Sequence, residues 1–171
     1  MVEQRLGRYG PAAEHHEQAL TLYRLTGNRP GEASALNSLG IVDTRLGRPE
    51  LAAERHLQAL DLFRTIGERD SEIEAHNGLG EAAQAAAHFT DAVTHHTAAL
   101  TATADTGARE QRARALTGLG HAHQSLADPT SAREHYKHAL TIYTDLSLPD
   151  AEAVRAHLAA IVDRRVDLAH G

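Results

Sequence analysis

Apolar and small residues recur along the chain at the spacing of α-helices. Ala52, His56, Ala59, Leu60 and Phe63 stand at i, i+4, i+7, i+8 and i+11, which places them on one face of a helix with 3.6 residues per turn. Polar residues fill the positions between them. This pattern predicts an amphipathic helix that packs against a neighbour rather than a strand, whose period would be two residues.

The pattern then repeats along the chain with an offset of 40 residues. The aligned columns are Ala12, Ala52, Ala92 and Ala132; Ala19, Ala59, Ala99 and Ala139; Leu39, Leu79 and Leu119; Gly40, Gly80 and Gly120; and His16, His56, His96 and Tyr136. Internal repetition of this length indicates a solenoid of helix pairs in which each pair buries its apolar face against the next.

The repeat predicts the helices and their turns. We expect helices at residues 11–26, 31–46, 50–66, 71–87, 90–106, 111–126, 130–146 and 151–169, with residues 1–8 forming the end of a separate helix that pairs with 11–26. Ser71 with Glu74, and Ser131 with Glu134, have the spacing of capping boxes. The last helix is amphipathic, and its apolar face is expected to carry Val154, Leu158, Ile161 and Val162.

Two kinds of residue stand at unusual places on the packing faces. Gly40, Gly80 and Gly120 lie inside predicted helices, where Gly costs about 1 kcal/mol relative to Ala, so a close approach of another helix is expected there. The histidines at positions 16, 56 and 96 are expected to fill aromatic-sized spaces in the core. A stability that responds to pH through these imidazoles is an open hypothesis.

Composition excludes several classes of protein. Hydrophobic residues make up 42% of the chain and aromatic residues 4%, which favours closely packed helices with small side chains over a β-sandwich. The chain has no Cys, so disulfides and cysteine nucleophiles are excluded. The formal charge is −6 and no stripe of Lys or Arg follows one helix face, so we expect no direct binding to nucleic acid.

Targeting, catalytic and metal-binding signals are also absent from the sequence. No run of about 18 apolar residues and no signal-peptide core occur, so we expect a cytoplasmic protein without a membrane span. No phosphate-binding Gly-rich loop and no serine-nucleophile motif occur, so no enzymatic activity and no cofactor are expected. Zinc needs three or four convergent ligands, and His135 with His138 is only a pair, so we expect no metal site.

The spacing inside one unit resembles the tetratricopeptide repeat (TPR) signature. Gly40 is followed after seven residues by Gly47, after five more by Ala52, and after seven more by Ala59. The usual repeat of this family has about 34 residues, whereas this one has 40 and resembles the long form in kinesin light chains. The wording ALxLxRxxGxR is similar to the C-terminal TPR arrays of actinobacterial SARP-type and NB-ARC transcriptional regulators.

The resemblance implies an all-α fold, a right-handed α-solenoid of antiparallel helix pairs. We expect one TPR array over residues 1–171, divided into a half or first repeat at 1–30, full repeats at 31–70, 71–110 and 111–150, and a C-terminal capping helix at 151–171. The sequence departs from the signature at the later turns, where Gly47 is replaced by Ala87 and Ala127.

In a TPR array the first helices of the repeats line a concave groove, so the resemblance implies the residues that contact a partner. These are Ser34, Asn37, Ile41, Thr44 and Arg45 in the first full repeat; Glu74, Asn77, Glu81, Gln84 and Ala85 in the second; and Arg114, Thr117, His121, Gln124 and Ser125 in the third. All of them fall outside the Leu-Leu-Gly packing face, which agrees with exposure. The simpler alternative is a solvated polar helix face.

Several functions remain open at this stage. The first is a protein- or peptide-binding module, the sensor or scaffold portion of a bacterial transcriptional regulator, in which Asn37, Asn77 and Arg45 hold a segment that belongs to a partner or to the rest of the regulator. The second is a receptor for a small-molecule effector or a signal peptide in the same groove. The third is an oligomerisation module, a homodimer through an uncapped N-terminal end.

Overall fold

The structure is a computed structural model that describes the backbone of residues 2–169 and the side chains of residues 9–161. Within the described residues it contains eight α-helices and no strand. In chain order they are α1 Val2–Thr26, α2 Arg29–Arg45, α3 Pro49–Ile66, α4 Arg69–Ala85, α5 Phe89–Thr106, α6 Arg109–Ser125, α7 Pro129–Asp145 and α8 Asp150–Ala169. No helix in the described part is long and apolar enough to cross a membrane.

Each helix packs mainly on the helices before and after it in the sequence. Additional contacts join α2 to α4 and α4 to α6. The chain is therefore an all-α repeat solenoid, with α2, α4, α6 and α8 on one side and α1, α3, α5 and α7 on the other. This confirms the fold class and the helix pairs that the 40-residue repeat predicts. The predicted ends agree with the observed ones to within about two residues at α2 to α8.

The beginning of the chain differs from the prediction. A turn was expected after residue 8, but α1 runs without interruption from Val2 to Thr26 and includes Pro11. Proline fixes φ near the helical value, but inside a helix it removes one backbone hydrogen bond and its ring crowds the carbonyl four residues earlier, so α1 carries Pro11 at a cost of about 3 kcal/mol.

The predicted capping boxes are also wrong, because the N-cap residues lie three residues before Ser71 and Ser131. Helix α4 is preceded by Glu68, whose side chain makes no capping hydrogen bond. Helix α7 is capped by Asp128, whose carboxylate accepts a hydrogen bond from the backbone N–H of Ser131 at 3.1 Å. A carboxylate aligned one turn ahead of the serine reaches the free N–H groups first.

Small side chains at the helix contacts allow the close packing. Ala52, Ala92 and Ala132, one per repeat, are each 0% exposed. His56 lies between two glycines, since a Cβ on Gly40 would come within 2.6 Å of its ring and one on Gly78 within 2.4 Å. The predicted close approach at Gly40 is thus confirmed, and it recurs between Gly80 and His96 and between Gly120 and Tyr136.

The end of the array is covered by α8. Val154 and Ile161 are 1% and 3% exposed, and Leu158 packs against the same cluster around Tyr136 and Tyr143. Three of the four residues of the predicted apolar face therefore contact the core. The fourth, Val162, lies outside the described side chains.

Candidate functional site

A cleft of about 520 Å³ opens between α2, α4 and α6 and is bounded by the start of α8. It crosses three consecutive repeats, so residues far apart in sequence meet in it. Its lining residues are Thr44, Arg45, Glu81, Gln84, Ala85, His96, Glu110, Gln111, Arg114, Thr117, Gly118, His121, Tyr143 and Asp150. Most of them carry polar groups, which suits a partner that is recognised by hydrogen bonds and charge.

A charge pair occupies the middle of this cleft. Arg114 Nε on α6 donates a hydrogen bond to Glu81 Oε1 on α4 at 2.6 Å. Burial would raise the pKa of the Glu81 carboxyl, but the hydrogen bond and the positive charge of Arg114 outweigh burial, and Arg45 adds to them, so the pKa is lowered. Glu81 therefore stays ionised at neutral pH, and the pair ties two neighbouring repeats together.

The floor of the cleft is formed by a buried imidazole. His96 is 1% exposed, and its Nδ1 lies 3.2 Å from Asn77 Oδ1. Burial lowers the pKa of His96 to about 4, with Glu81 opposing and Arg114 assisting, so the ring is neutral at pH 7. Because the amide oxygen can only accept, Nδ1 carries the proton and donates it to Asn77.

The two asparagines that were expected to hold a partner lie inside the protein instead. Asn37 is 6% exposed and Asn77 is 0% exposed. Asn37 Oδ1 lies 2.8 Å from Nδ1 of His56, and Asn77 Nδ2 donates to the backbone oxygen and to Oε1 of Gln111, both at 3.1 Å. The amide of Asn77 is fully used within the core and the oxygen of Asn37 is taken by His56, so neither asparagine belongs to the proposed binding surface.

The other expected contact residues fall into two groups. The cleft brings together Thr44, Arg45, Glu81, Gln84, Ala85, Arg114, Thr117 and His121. Ser34, Ile41, Glu74, Gln124 and Ser125 lie outside its lining. Among these, Gln124 Oε1 accepts a hydrogen bond from the Tyr136 hydroxyl at 3.1 Å, so its side chain serves the packing of α7.

His121 connects the cleft to the end of the array. Its Nδ1 lies 2.7 Å from the hydroxyl oxygen of Tyr136, and its ring lies 4.6 Å from that of His157 on α8. Burial lowers the pKa of His121, and the neighbouring His157 lowers it further. A neutral imidazole at this place can exchange hydrogen bonds with a bound group without adding charge to the cleft.

Some lining residues were missed at the sequence level. Glu110 and Gln111 belong to the first turn of α6, and Glu110 stands at i, i+4, i+7 and i+11 with Arg114, Thr117 and His121. That spacing is a signal that could have placed Glu110 in the cleft. Tyr143 comes from α7, the second helix of its pair, and the groove rule for first helices gives no signal for it.

The side chains of the described part form no group of three or more His, Asp or Glu residues that could hold a metal ion. The histidine pairs that do form are contacts between rings. His76 and His95 have centroids 5.9 Å apart, and His123 stacks on His135 at 5.3 Å. The chemistry that the described residues of the cleft offer a partner is therefore hydrogen bonding and charge.

Comparison with known proteins places this architecture in a sequence family. Residues 1–65 and 71–145 match a family described as tetratricopeptide repeat. No curated protein matches the chain at a significant level.

Solved structures share the fold at low sequence identity. A Rap protein complexed with competence and sporulation factor has a TM-score of 0.84 and 18% identity, over 98% of this chain and 47% of that one. The apo form of RapI has a TM-score of 0.76 and 13% identity over 90% and 45%. A putative kinesin light chain from Podospora anserina, with nearly identical TPR-like repeats, has a TM-score of 0.73 and 20% identity, over 96% of this chain and 82% of that one. The chain thus spans about half the length of the two Rap structures.

Proposed function

The chain belongs to the tetratricopeptide repeat family, and from this premise we propose that its cleft binds a segment of a protein or peptide without catalysis. The observation that carries the proposal is the polar lining from three repeats around the Glu81–Arg114 pair. Solenoids of this kind present extended concave surfaces to their partners.

The partner is expected to be an extended, polar segment. The cleft lining offers the guanidinium of Arg45 and the carboxylates of Glu110 and Asp150, whereas Arg114 is already paired with Glu81. A segment that carries an acidic side chain towards Arg45 and a basic one towards Glu110 would satisfy both charge groups. The Rap protein in complex with competence and sporulation factor has the same fold at 18% identity, which supports a binding role for this fold.

The setting we propose is the sensor or scaffold portion of a bacterial regulator. The wording of the repeats, which is similar to that of the TPR arrays in such regulators, supports it. Occupation of the cleft would fix the relative positions of α2, α4 and α6 and so change how the array packs on the rest of such a regulator. A small-molecule effector in the same cleft is the alternative ligand.

The experiment uses a display library of random linear peptides selected on the wild-type chain, with binding of the enriched peptides measured by fluorescence anisotropy. Arg45→Glu reverses a cleft charge, and Ala85→Trp fills cleft space from an exposed helical position. Each should weaken binding about tenfold or more, as expected for the loss of a charge-assisted contact. Arg133→Glu makes the same charge change at an exposed position of α7 outside the cleft lining and should leave binding unchanged.

The proposal fails if no peptide is enriched over an unrelated helical protein. It also fails if the enriched peptides bind equally to the two cleft variants. Thermal unfolding of every variant confirms that the fold is retained.

Self-association through α1 is a second candidate, favoured by two exposed leucines. Leu22 and Leu25 stand one helical turn apart and are 61% and 79% exposed. Their burial in a second copy would remove apolar surface from water. Light scattering behind size exclusion should then give a dimer mass for the wild type and a monomer mass for Leu22→Asp/Leu25→Asp; a monomer for both discards this candidate.

A further inference from the structure

A second cavity, of about 510 Å³, lies between α5, α6 and α7. It uses Arg109, Arg112 and Leu116 of α6, whereas the cleft described above uses Glu110, Arg114, Thr117 and His121 of the same helix. The two sites therefore lie on different faces of α6 and do not share a residue.

The repeat provides an internal comparison for this cavity. The cavity lies at the junction between α5 and α6. At the two preceding junctions, between α1 and α2 and between α3 and α4, an Arg near the end of the first helix pairs with a Glu eight residues later in the second. Arg24 Nε lies 3.0 Å from Glu32 Oε1, and Arg64 Nε lies 3.9 Å from Glu72 Oε2. At the third junction these two positions hold Ala104 and Arg112, so the pair is lost and an arginine stands where the glutamate was.

The core beneath the lost pair is opened. Leu20 and Leu60, which precede the two arginines by one turn, are 3% and 2% exposed. Leu100, at the same position of the third repeat, is only partly buried and lines the cavity together with Leu116 and Ile142. The third junction thus leaves Leu100 accessible where Leu20 and Leu60 are covered, and Leu116 and Ile142 complete an aliphatic floor beside it.

The rim of the cavity carries one uncompensated positive charge. Arg109 Nη2 donates to Asp145 Oδ2 at 2.8 Å and is thereby neutralised. Burial lowers the pKa of the His135 imidazole, which is therefore uncharged at neutral pH. Arg112 is exposed and has no ion-pair partner among the described residues, so its guanidinium is the fixed charge that faces a ligand.

We propose that this cavity binds a small aliphatic monocarboxylate, with its alkyl body on Leu100, Leu116 and Ile142 and its carboxylate on Arg112. The volume falls within the roughly 300–1,000 Å³ of small-molecule sites. The three floor side chains are purely aliphatic and their backbone groups are used within helices, so the floor favours an alkyl chain over a polar body. Guanidinium and carboxylate form two parallel hydrogen bonds, which makes Arg112 selective for a carboxylate.

The test measures binding of decanoate, below its micelle concentration, to the full chain by isothermal titration calorimetry. The decisive variant is Ala104→Arg/Arg112→Glu, which rebuilds the pair of the two earlier junctions and should cover the floor. We expect its affinity for decanoate to fall about tenfold or more, with thermal stability kept. Arg112→Gln, which removes only the charge, is the second variant and should also lose affinity.

Three controls make the result specific. Arg133→Gln removes one positive charge, as Arg112→Gln does, at an exposed position outside the cavity lining, and should bind decanoate like the wild type. Decanol and decyltrimethylammonium share the alkyl chain without the negative charge and should bind about tenfold more weakly or worse. Arg45→Glu in the first cleft should leave decanoate affinity unchanged, so this proposal and the proposed peptide binding can fail separately.

Several outcomes would overturn the proposal. One is the absence of measurable decanoate binding to the wild type. Another is equal binding by the wild type and the rebuilt-pair variant, which would place the ligand elsewhere. Binding of decyltrimethylammonium as tight as that of decanoate would show that the site selects only the alkyl chain.

Discussion

At the scale of single residues, the imidazole–amide pairs are the most distinctive feature of this array. His56 and His96 replace larger aromatic rings on the packing face, and each ring fits only because a glycine of the next repeat leaves room for it. The hydrogen-bonding partner of the buried ring changes when the ring changes. Where the fourth repeat position has Tyr136, the asparagine position has Thr117, and the tyrosine hydroxyl turns to His121 instead. An amide acceptor is therefore kept where a ring N–H needs one.

These buried rings predict a stability that depends on pH. Burial lowers the pKa of both His56 and His96 from 6.5 to about 4, so the folded state resists their protonation. Above about pH 6.5 both states are neutral and stability is complete. As the pH falls from about 6.5 to 4, the unfolded chain takes up protons first, and folding free energy is lost by roughly 3 kcal/mol per ring before the loss levels off.

Urea unfolding at pH 7.5, 6 and 5 measures this dependence. The matched variant is Asn77→Thr/His96→Tyr, which installs the residues of the next repeat and removes one buried imidazole. Its stability should fall less between pH 7.5 and 5 than that of the wild type, whereas His15→Gln at an exposed position should change nothing. A wild-type stability that is the same at pH 5 and pH 7.5 would contradict the prediction.

At the scale of helices and turns, the connections within the repeats share one conformation but not one residue type. Gly47 has φ of 72°, and the aligned Ala87 and Ala127 have φ of 60° and 59°. All three are left-handed, a region in which a Cβ costs roughly 1–2 kcal/mol. The turn is thus imposed by the packing of the two helices on either side, and the alanines carry the strain.

Exchange of these residues should therefore shift stability in opposite directions. Ala87→Gly relieves the Cβ strain and should stabilise the protein by about 1 kcal/mol, reduced somewhat by the extra freedom of glycine in the unfolded chain. Gly47→Ala introduces the same strain at the equivalent turn and should destabilise by about 1 kcal/mol. Urea midpoints with unchanged slopes measure both; loss of stability in Ala87→Gly would show that the turn is not strained.

The helices could be predicted from the sequence far better than the site. The seven helices α2 to α8 follow from columns such as Ala52, Ala92 and Ala132, because burial of small residues every 40 positions leaves one way to stack the helices. The roles of Asn37 and Asn77 could not be predicted from their polarity. Whether an amide faces a groove or a buried imidazole depends on contacts across 19 residues, which periodicity alone does not report.

At the scale of the whole molecule, the array has no single centre. Each helix packs mainly on its sequence neighbours, α2 also packs on α4 and α4 on α6, and single side-chain contacts such as His121–His157 join α6 to α8. The stability of such a chain is close to a sum over repeats and the interfaces between them. The cleft, built on α2, α4 and α6, therefore depends on the central interfaces and less on the covering of the end by α8.

Local destabilisation should consequently spread from the centre but not from the end. Leu79→Ala on α4 removes a side chain that is 2% exposed and should cost about 2–5 kcal/mol. Because α4 contacts helices on both sides, backbone hydrogen exchange should accelerate throughout the array. Val154→Ala on α8 also opens a core position, 1% exposed, but should accelerate exchange chiefly in α7 and α8. Native-state hydrogen exchange read by mass spectrometry compares the two; equal acceleration of α2 to α4 in both variants would mean that the array unfolds as one cooperative body.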